Sequence, residues 1–256
     1  MLYNICFSPA GGTEKVAGIL GDALQAALAD EKTTVDLVEK DLSARSVLIH
    51  PGDLAIISVP SYGGRVPAIA ASRIRMIKGN GAKAVIAAVY GNRAYEDTLL
   101  ELKDIAASCG FTVIAAVAAV AEHSIVREIA QGRPDDQDAE DLKTIAGKIL
   151  EKLDRSDTSS PAVPGTHPYH LYHGIPLHTY AQDHCIMCGN CAFACPVSAI
   201  PTETPNAPSG ESCISCMRCV RVCPVQARAA EENTVEAIRQ KISAACADRK
   251  KSELYL

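Results

Sequence analysis

The sequence predicts an α/β protein: a doubly wound sheet of five parallel strands, followed by a small α+β domain built around cysteines. Over roughly the first 150 residues, short apolar runs of strand length alternate with helical stretches. Strands that are apolar on both faces and separated by helices require a parallel sheet covered on both sides. Beyond them, eight of the 11 cysteines lie between positions 185 and 223.

The strands and helices of the first domain follow from hydrophobic periodicity. The predicted strands are residues 2–7, 33–37, 54–59, 84–89 and 112–120. The run Leu-Ala-Ile-Ile-Ser-Val of the third strand is continuously apolar, as expected of a strand buried on both faces. The predicted helices are residues 13–29, 68–77, 94–108 and 139–153. In the first and third of these, apolar residues recur at spacings of three and four, which places them on one helix face.

Changes in composition predict the domain boundaries. Residues 1–153 form the first predicted domain, and residues 154–182 form a predicted linker, because positions 154–166 are rich in Ser, Pro and Gly. The cysteine domain is predicted at residues 183–230. A helical tail is predicted at residues 231–256, where Val235, Ile238 and Ile242 have helical spacing.

Charge and hydropathy exclude several classes of function. The net charge of −5 gives no reason to expect nucleic acid or anionic lipid as a partner. No apolar run approaches the roughly 20 residues needed to span a bilayer. The N-terminus has no basic region before its first apolar run, which argues against a signal peptide, so we expect a cytoplasmic protein.

The cysteines form two copies of the pattern C-x2-C-x2-C-x3-C-P, 28 positions apart. The first copy is Cys185, Cys188, Cys191 and Cys195; the second is Cys213, Cys216, Cys219 and Cys223. This spacing, in a chain without an export signal, favours metal binding over disulfides. Structural zinc is the alternative, but zinc sites prefer paired C-x2-C knuckles. The pattern is that of thiolates that hold [4Fe–4S] clusters.

In this pattern the fourth cysteine of each copy ligates the cluster of the other copy. One predicted cluster therefore takes Cys185, Cys188, Cys191 and Cys223. The other takes Cys213, Cys216, Cys219 and Cys195. Because thiolates occupy every ligand position, we expect the clusters to pass electrons rather than to act on a substrate. The other cysteines, Cys6, Cys109 and Cys246, are expected to be small buried hydrophobes.

Three loops follow predicted strands at the sheet edge where open parallel sheets bind ligands. The first contains Ser8, Ala10, Gly11, Gly12 and Thr13, whose backbone N–H groups can bind an anion at a helix N-terminus. The second contains Pro60, Ser61, Tyr62, Gly63 and Gly64, and the third Tyr90, Gly91, Asn92, Arg93 and Tyr95. Aromatic residues beside glycines suit a flat ring approached by backbone. Each loop, taken alone, is equally compatible with an ordinary tight turn.

These loops resemble those of the flavodoxin family. Residues 8–13 look like its phosphate loop S/T-x-T-G-x-T, and residues 90–95 are similar to the loop whose tyrosine stacks on the isoalloxazine ring. The resemblance implies FMN, with its phosphate on the first loop and its ring between the other two. It implies that Tyr95 stacks on the ring, with Tyr62 or Tyr90 as the second wall. Ala10 and Gly12 depart from the family pattern, which has a hydroxyl residue and Asn there.

The whole chain resembles the flavodoxin–ferredoxin fusion proteins of anaerobic bacteria and archaea. The resemblance implies a flavodoxin-like five-stranded sheet joined to a small α+β two-cluster ferredoxin domain. It implies low-potential electron transfer between FMN and two [4Fe–4S] clusters, with ferredoxin-like donors or acceptor oxidoreductases as redox partners. The oligomeric state stays open, homo-oligomers included.

Two other functions are compatible with the same residues. One is a reductase that acts on a small molecule at the flavin, with His123 or Tyr62 as proton donor. His123 lies in the run Glu122-His123-Ser124, just past the fifth predicted strand and at the same sheet edge. The other is a scaffold without flavin, whose first domain only docks a partner.

Overall fold

The structure, a computed structural model, describes residues 1–40 and 48–256. Five parallel strands build its main sheet in the order β2-β1-β3-β4-β5, which is the flavodoxin-like order. The strands are β1 (Leu2–Cys6), β2 (Lys32–Asp36), β3 (Leu54–Pro60), β4 (Lys83–Tyr90) and β5 (Thr112–Val120). The predicted doubly wound α/β fold is confirmed.

Two helical layers cover the sheet. The helices are α1 (Gly12–Leu28), α2 (Ala68–Ile74), α3 (Thr98–Ser108) and α4 (Asp136–Asp154). Successive residues of β3 point to opposite faces, since side chains alternate along a strand. Ile56 thus packs in the core under α1 and α4, and Ile57 in the core under α2 and α3. This two-sided burial explains why β3 is apolar throughout. No helix among the described residues is long and apolar enough to cross a membrane.

The C-terminal module, residues 178–230, is a small α+β unit, as predicted. Its strands β6 (Thr179–Ala181) and β7 (Arg228–Ala230) pair antiparallel, and its short helices are α5 (Asn190–Phe193) and α6 (Arg218–Arg221). Strand β6 lies within the stretch predicted as linker. Arg228 is buried and donates to the carbonyls of Thr179, Pro205 and Ala207. The Arg228 guanidinium thus connects β6 with residues 205–207, in a module whose apolar core is small.

The C-terminal tail differs from its prediction. Helix α7 (Glu232–Ile242) forms as expected and continues into a 3₁₀ turn (Ser243–Cys246). The chain then ends in β8 (Glu253–Tyr255), which pairs antiparallel with β5 as a sixth strand. The prediction of a wholly helical tail was therefore wrong at its end. Leu254 packs on one core and Tyr255 on the other, so tertiary contacts decide the structure of a segment too short to carry a periodic signal.

The predicted linker is extended but fixed to the first domain. Its backbone and side chains bond to α3 and the residues before it: His170 Nδ1 lies 2.7 Å from Asp97 Oδ2, and Lys103 Nζ donates to the Pro161 carbonyl at 2.6 Å. Although burial opposes ionisation, the hydrogen bonds from His170 and Thr166 lower the pKa of Asp97 to about 2. The carboxylate therefore stays charged and holds the segment in place.

Candidate functional site

The eight motif cysteines line two separate cavities. The first cysteine cavity is lined by Cys185, Cys188, Cys191 and Cys223. The second cysteine cavity is lined by Cys195, Cys213, Cys216 and Cys219. The last cysteine of each copy therefore lies with the first three cysteines of the other copy. This is the grouping that crossed ligation of two clusters requires.

The backbone repeats along with the sequence. Left-handed residues recur 28 positions apart, and they turn the chain around each cavity. The matching pairs are Met187 with Ser215, Gly189 with Met217, and Ser198 with Gln226. Within residues 1–40 and 48–256, no three His, Cys, Asp or Glu side chains form a group that could hold a single metal ion. The four thiols of each set instead surround a space, as ligands of a cubane cluster do.

The surroundings of the thiols fit an iron–sulfur cluster. Burial raises the pKa of the Cys216 thiol to about 12, and it also raises the pKa of Cys219. Thiolates at these positions need positive charge beside them, which the irons of a cluster supply. The sulfurs also accept hydrogen bonds: the Ala199 N–H lies 3.2 Å from Cys195 Sγ and the Ser215 N–H 3.5 Å from Cys213 Sγ. Such bonds set the potential of a cluster.

A third cavity, the edge cavity, lies at the carboxyl ends of the parallel strands and has a volume of about 110 Å³. All three predicted loops contribute to it. The predicted residues that line it are Ala10, Gly12, Thr13, Pro60, Ser61, Tyr62, Gly63, Tyr90 and Gly91. Ser8, Gly11, Gly64, Asn92, Arg93 and Tyr95 are not among its lining residues.

The first loop is shaped to bind an anion. Gly11 caps α1 with a φ of +87°, and Ser8 Oγ accepts the Glu14 N–H at 2.8 Å. The N–H groups of Gly11, Gly12 and Thr13 have no partner in the described part of the chain. Unpaired N–H groups at the start of a long helix attract phosphate. A Cβ at Gly12 would lie 3.0 Å from the Ala121 Cβ, so a side chain at this position would require Ala121 to shift.

Two glycines let other side chains approach the backbone closely beside the edge cavity. A Cβ at Gly63 would overlap the ring of Tyr172, and a Cβ at Gly91 would lie 2.5 Å from the ring of His123. Tyr172 and His123 line the cavity, as do Tyr62 and Tyr90. The cavity thus has aromatic walls and backbone close to them, which fits a flat ring system. Tyr172 was not predicted, because it comes from the linker segment and no local pattern marks it.

The structure does not bring Tyr95 to the edge cavity, contrary to the stacking role that the resemblance implies. Its hydroxyl lies 2.8 Å from that of Tyr255 and donates to Glu253 Oε2 at 2.9 Å, under strand β8. Asn92 is held in the same way, since its amide donates to the carbonyls of Cys246 and Asp248. The C-terminal tail therefore covers this side of the third loop.

His123 follows β5, and its surroundings determine both its charge and its tautomer. Its Nδ1 accepts the Val126 N–H at 3.0 Å and the Ile125 N–H at 3.3 Å. Burial, with a smaller effect from Arg93, lowers the pKa of His123 to about 4. The ring is therefore neutral at pH 7, and its hydrogen lies on Nε2. His123 can donate one hydrogen bond at the edge cavity without adding charge.

The second cysteine cavity adjoins the edge cavity. Ile214 and Ser215, from the loop that carries Cys213 and Cys216, line the edge cavity, and Ile214 also lines the second cysteine cavity. Burial raises the pKa of Tyr62 well above its usual value, and Cys216, Tyr172 and Cys213 raise it further. Tyr62 thus lies near both cavities. Sequence patterns did not predict this shared wall, because it depends on how the two domains pack.

Comparison with known proteins finds one matching family model and several structures with limited similarity. Residues 178–224 match the family model described as 4Fe-4S dicluster domain. No curated protein sequence matches the chain. A flavodoxin of Streptococcus pneumonia TIGR4 is 20% identical, over 59% of this chain and 99% of that chain, with a TM-score of 0.41. A Fusobacterium nucleatum flavodoxin bound to flavin mononucleotide is 14% identical, over 60% and 96%, with a TM-score of 0.37.

A further similarity concerns part of a larger protein. Rubredoxin:oxygen oxidoreductase from the anaerobe Desulfovibrio gigas is 16% identical over 60% of this chain, with a TM-score of 0.39, and only 35% of its own chain is covered. The fold assignment of the N-terminal domain rests on its strand order. The chain therefore joins a flavodoxin-like domain to a 4Fe–4S dicluster domain.

Proposed function

We propose that the protein transfers low-potential electrons between FMN in the edge cavity and two [4Fe–4S] clusters in the cysteine cavities. Cys185, Cys188, Cys191 and Cys223 hold one cluster; Cys195, Cys213, Cys216 and Cys219 hold the other. The N–H groups of the first loop hold the phosphate of FMN. The loops at 60–63 and 90–91, together with Tyr62 and Tyr172, would hold its ring.

The observation that carries this proposal is the shared wall. Ile214 lines both the edge cavity and the second cysteine cavity. Ile214 thus borders both the space for the flavin and the space for a cluster. Electron exchange inside a protein requires neighbouring redox groups, whereas a domain that only docks a partner does not.

FMN, when bound, exchanges electrons singly or in pairs, whereas each cluster exchanges one at a time. The chain contributes two closed sets of thiolates, aromatic walls, and the neutral donor His123. The two cysteine cavities differ in access, because Cys188 is exposed and Cys216 is buried. An external redox protein therefore meets the first cluster, and the flavin meets the second.

Anaerobic reconstitution tests the cofactors directly. The full chain should hold about eight irons and about one FMN. Iron and acid-labile sulfide analysis, with the absorbance of released flavin, measures both. Four or fewer irons, or tightly held zinc in their place, would refute the cluster assignment. A fully iron-loaded protein that binds no flavin would support the docking scaffold instead.

A second candidate is a reductase that acts on a small molecule. A groove of about 470 Å³ lies beside the edge cavity and shares Tyr62 and Tyr172 with it. The same groove reaches Cys213, so a molecule bound there would lie near both redox groups. Multiple turnovers of a small oxidant by the reduced protein would favour the reductase. Reoxidation by redox proteins alone would favour the electron carrier.

A further inference from the structure

Arg218 connects the two domains at an unexpected place. It lies between Cys216 and Cys219 and begins α6. Its Nη1 donates to the carbonyl of Pro9 at 3.3 Å, in the first loop of the flavodoxin-like domain. A residue of the cluster motif thus reaches the loop that is shaped to bind phosphate.

The guanidinium of Arg218 is not fully satisfied by the protein. Its Nε is buried and has no hydrogen-bond partner in the described part of the chain. Buried donors in native proteins almost always have a partner, and an unpaired one points to a missing group. An anion beside the first loop would supply both the acceptor and the opposite charge.

The first loop offers an anion few side-chain donors. Ala10 offers no hydroxyl, and Gly12 offers no side-chain amide. The backbone N–H groups of Gly11, Gly12 and Thr13 are left to bind the anion. A positive charge that arrives from the other domain compensates for this lack of side-chain donors.

We propose that the second cysteine loop, residues 213–219, completes the flavin site, with Arg218 serving the phosphate group. Arg218 holds the first loop through Pro9 and adds charge beside the phosphate, while Ile214 and Ser215 close the cavity around the ring. The inference rests on the proposed binding of FMN. It adds that flavin affinity depends on the second cluster and not on the first.

The asymmetry between the two cysteine loops follows from the cavity walls. Both cysteine cavities are lined by residues of the C-terminal module, but the second loop also lends Ile214 and Ser215 to the edge cavity. None of residues 185–191 lines the edge cavity. Because thermodynamic coupling is reciprocal, a cluster whose cysteine loop shapes the flavin site must change the affinity for flavin. A cluster far from the flavin site need not change it.

Arg218→Met and Arg218→Lys test the phosphate role, with FMN and riboflavin as probes. Riboflavin has the same ring and no phosphate. In the full chain with all its iron, Arg218→Met should weaken FMN binding at least about tenfold, while riboflavin affinity stays unchanged. Arg218→Lys should recover part of the FMN affinity, since it restores the charge without the fork geometry. Equal weakening of both probes, or of neither, would overturn the phosphate role.

Cys216→Ser and the matched variant Cys188→Ser test the dependence on the second cluster. Each should retain about four irons. FMN affinity, from quenching of flavin fluorescence, should fall in Cys216→Ser and stay at the wild-type value in Cys188→Ser. An equal change in both variants would overturn the inference. Wild-type protein that binds no FMN would instead refute the proposed function itself, so the two failures are distinguishable.

Discussion

The two cysteine loops share a sequence pattern and a backbone, but their surroundings differ. In the first loop, Ile186 is 61% exposed and Met187 is 54% exposed. In the second loop, Ser215 is 5% exposed and lines the edge cavity with residues of the first domain. Its hydroxyl donates to the carbonyl of Leu177, in the linker segment, at 2.9 Å. The left-handed position held by Gly189 in the first loop is held by a buried Met217 in the second.

The sequence repeat determines the cysteine spacing and the turns of both loops, whereas the surrounding parts of the protein determine how deeply each loop is buried. The spacing of cysteines and the left-handed turns give each loop the same ability to hold a cluster. Burial against the flavodoxin-like domain makes the second loop an internal contact, whereas the first loop exposes Ile186 and Met187 in the described part of the chain. Met217 supplies apolar contact that a glycine cannot, which offsets the roughly 1–2 kcal/mol cost of its left-handed backbone.

The largest expected effect is the loss of one chosen cluster. Cys195→Ala should abolish the cluster of the second cysteine cavity, although Cys195 belongs to the first copy of the motif. Its matched variant, Cys223→Ala, should abolish the other cluster. Iron analysis should find about four irons in each, and electron paramagnetic resonance should show a different remaining signal. Loss of the Cys185 cluster in Cys195→Ala would show that ligation does not cross.

The next largest effect is a loss of stability when Arg73 is replaced, because Arg73 bonds to a residue of the second cysteine cavity. Buried Arg73 donates to the carbonyl of Leu37 at 2.6 Å and to that of Pro196, next to Cys195, at 2.8 Å. The equivalent Pro224 is exposed. Arg73→Met should lower the free energy of unfolding by about 3 kcal/mol, because it leaves buried carbonyls without donors.

Arg75→Met is the control for Arg73→Met, since Arg75 is exposed two positions further on. Urea unfolding of the reconstituted protein measures both variants. Equal stabilities of the two variants would mean that Arg73 does not hold the second cavity against the first domain.

A smaller effect is expected at Gly63, beside the edge cavity. Gly63→Ala places a Cβ into the ring of Tyr172 and should displace that wall. Gly81→Ala is the matched control, because Gly81 also has a positive φ but nothing within 4 Å of its Cβ position. Both variants bear the backbone strain, and only Gly63→Ala should also weaken FMN binding, by about tenfold. Unchanged FMN affinity in Gly63→Ala would remove Tyr172 from the site.

The smallest effect is pH-dependent and involves the linker segment that supports the second loop. The hydrogen bond to Asp97, and then the carbonyl of Gly63, raise the pKa of His170. Protonated His170 therefore stabilises the fold fully below the pKa of the unfolded state, about 6.5. This stabilisation is lost as the pH rises through the pKa of the folded state. The low pKa of Asp97 keeps the carboxylate ionised throughout this range. Since the His170 side chain is 37% exposed, the effect should stay below about 1 kcal/mol.

Unfolding of wild-type protein and His170→Gln at pH 5.5 and 8.5 measures this effect. The stability difference between them should be larger at pH 5.5. His173→Gln, at an exposed neighbouring position, is the control. A larger difference at pH 8.5 would mean that protonation of His170 does not stabilise the fold.

Local sequence patterns predicted the parallel sheet, the two cysteine sets and the three loops of the edge cavity. Each of these depends on contacts between residues close in sequence or on a repeated spacing. The positions of Tyr95, Tyr172 and Arg218 depend on distant partners instead. Tyr95 meets Tyr255, Tyr172 meets Gly63, and Arg218 meets Pro9, and no periodicity records such pairs. The shared wall between domains is of this second kind.

The most direct test of the account is whether electrons reach the flavin through the second cluster. Reconstituted protein would be mixed anaerobically with a reduced two-cluster ferredoxin, too large to enter the edge cavity, and flavin and cluster absorbance would be followed separately. In wild-type protein the flavin should bleach together with or just after the clusters. In Cys195→Ala, loaded with FMN, the flavin should stay oxidised while the first cluster is reduced. Flavin bleaching at the wild-type rate in that variant would contradict the account.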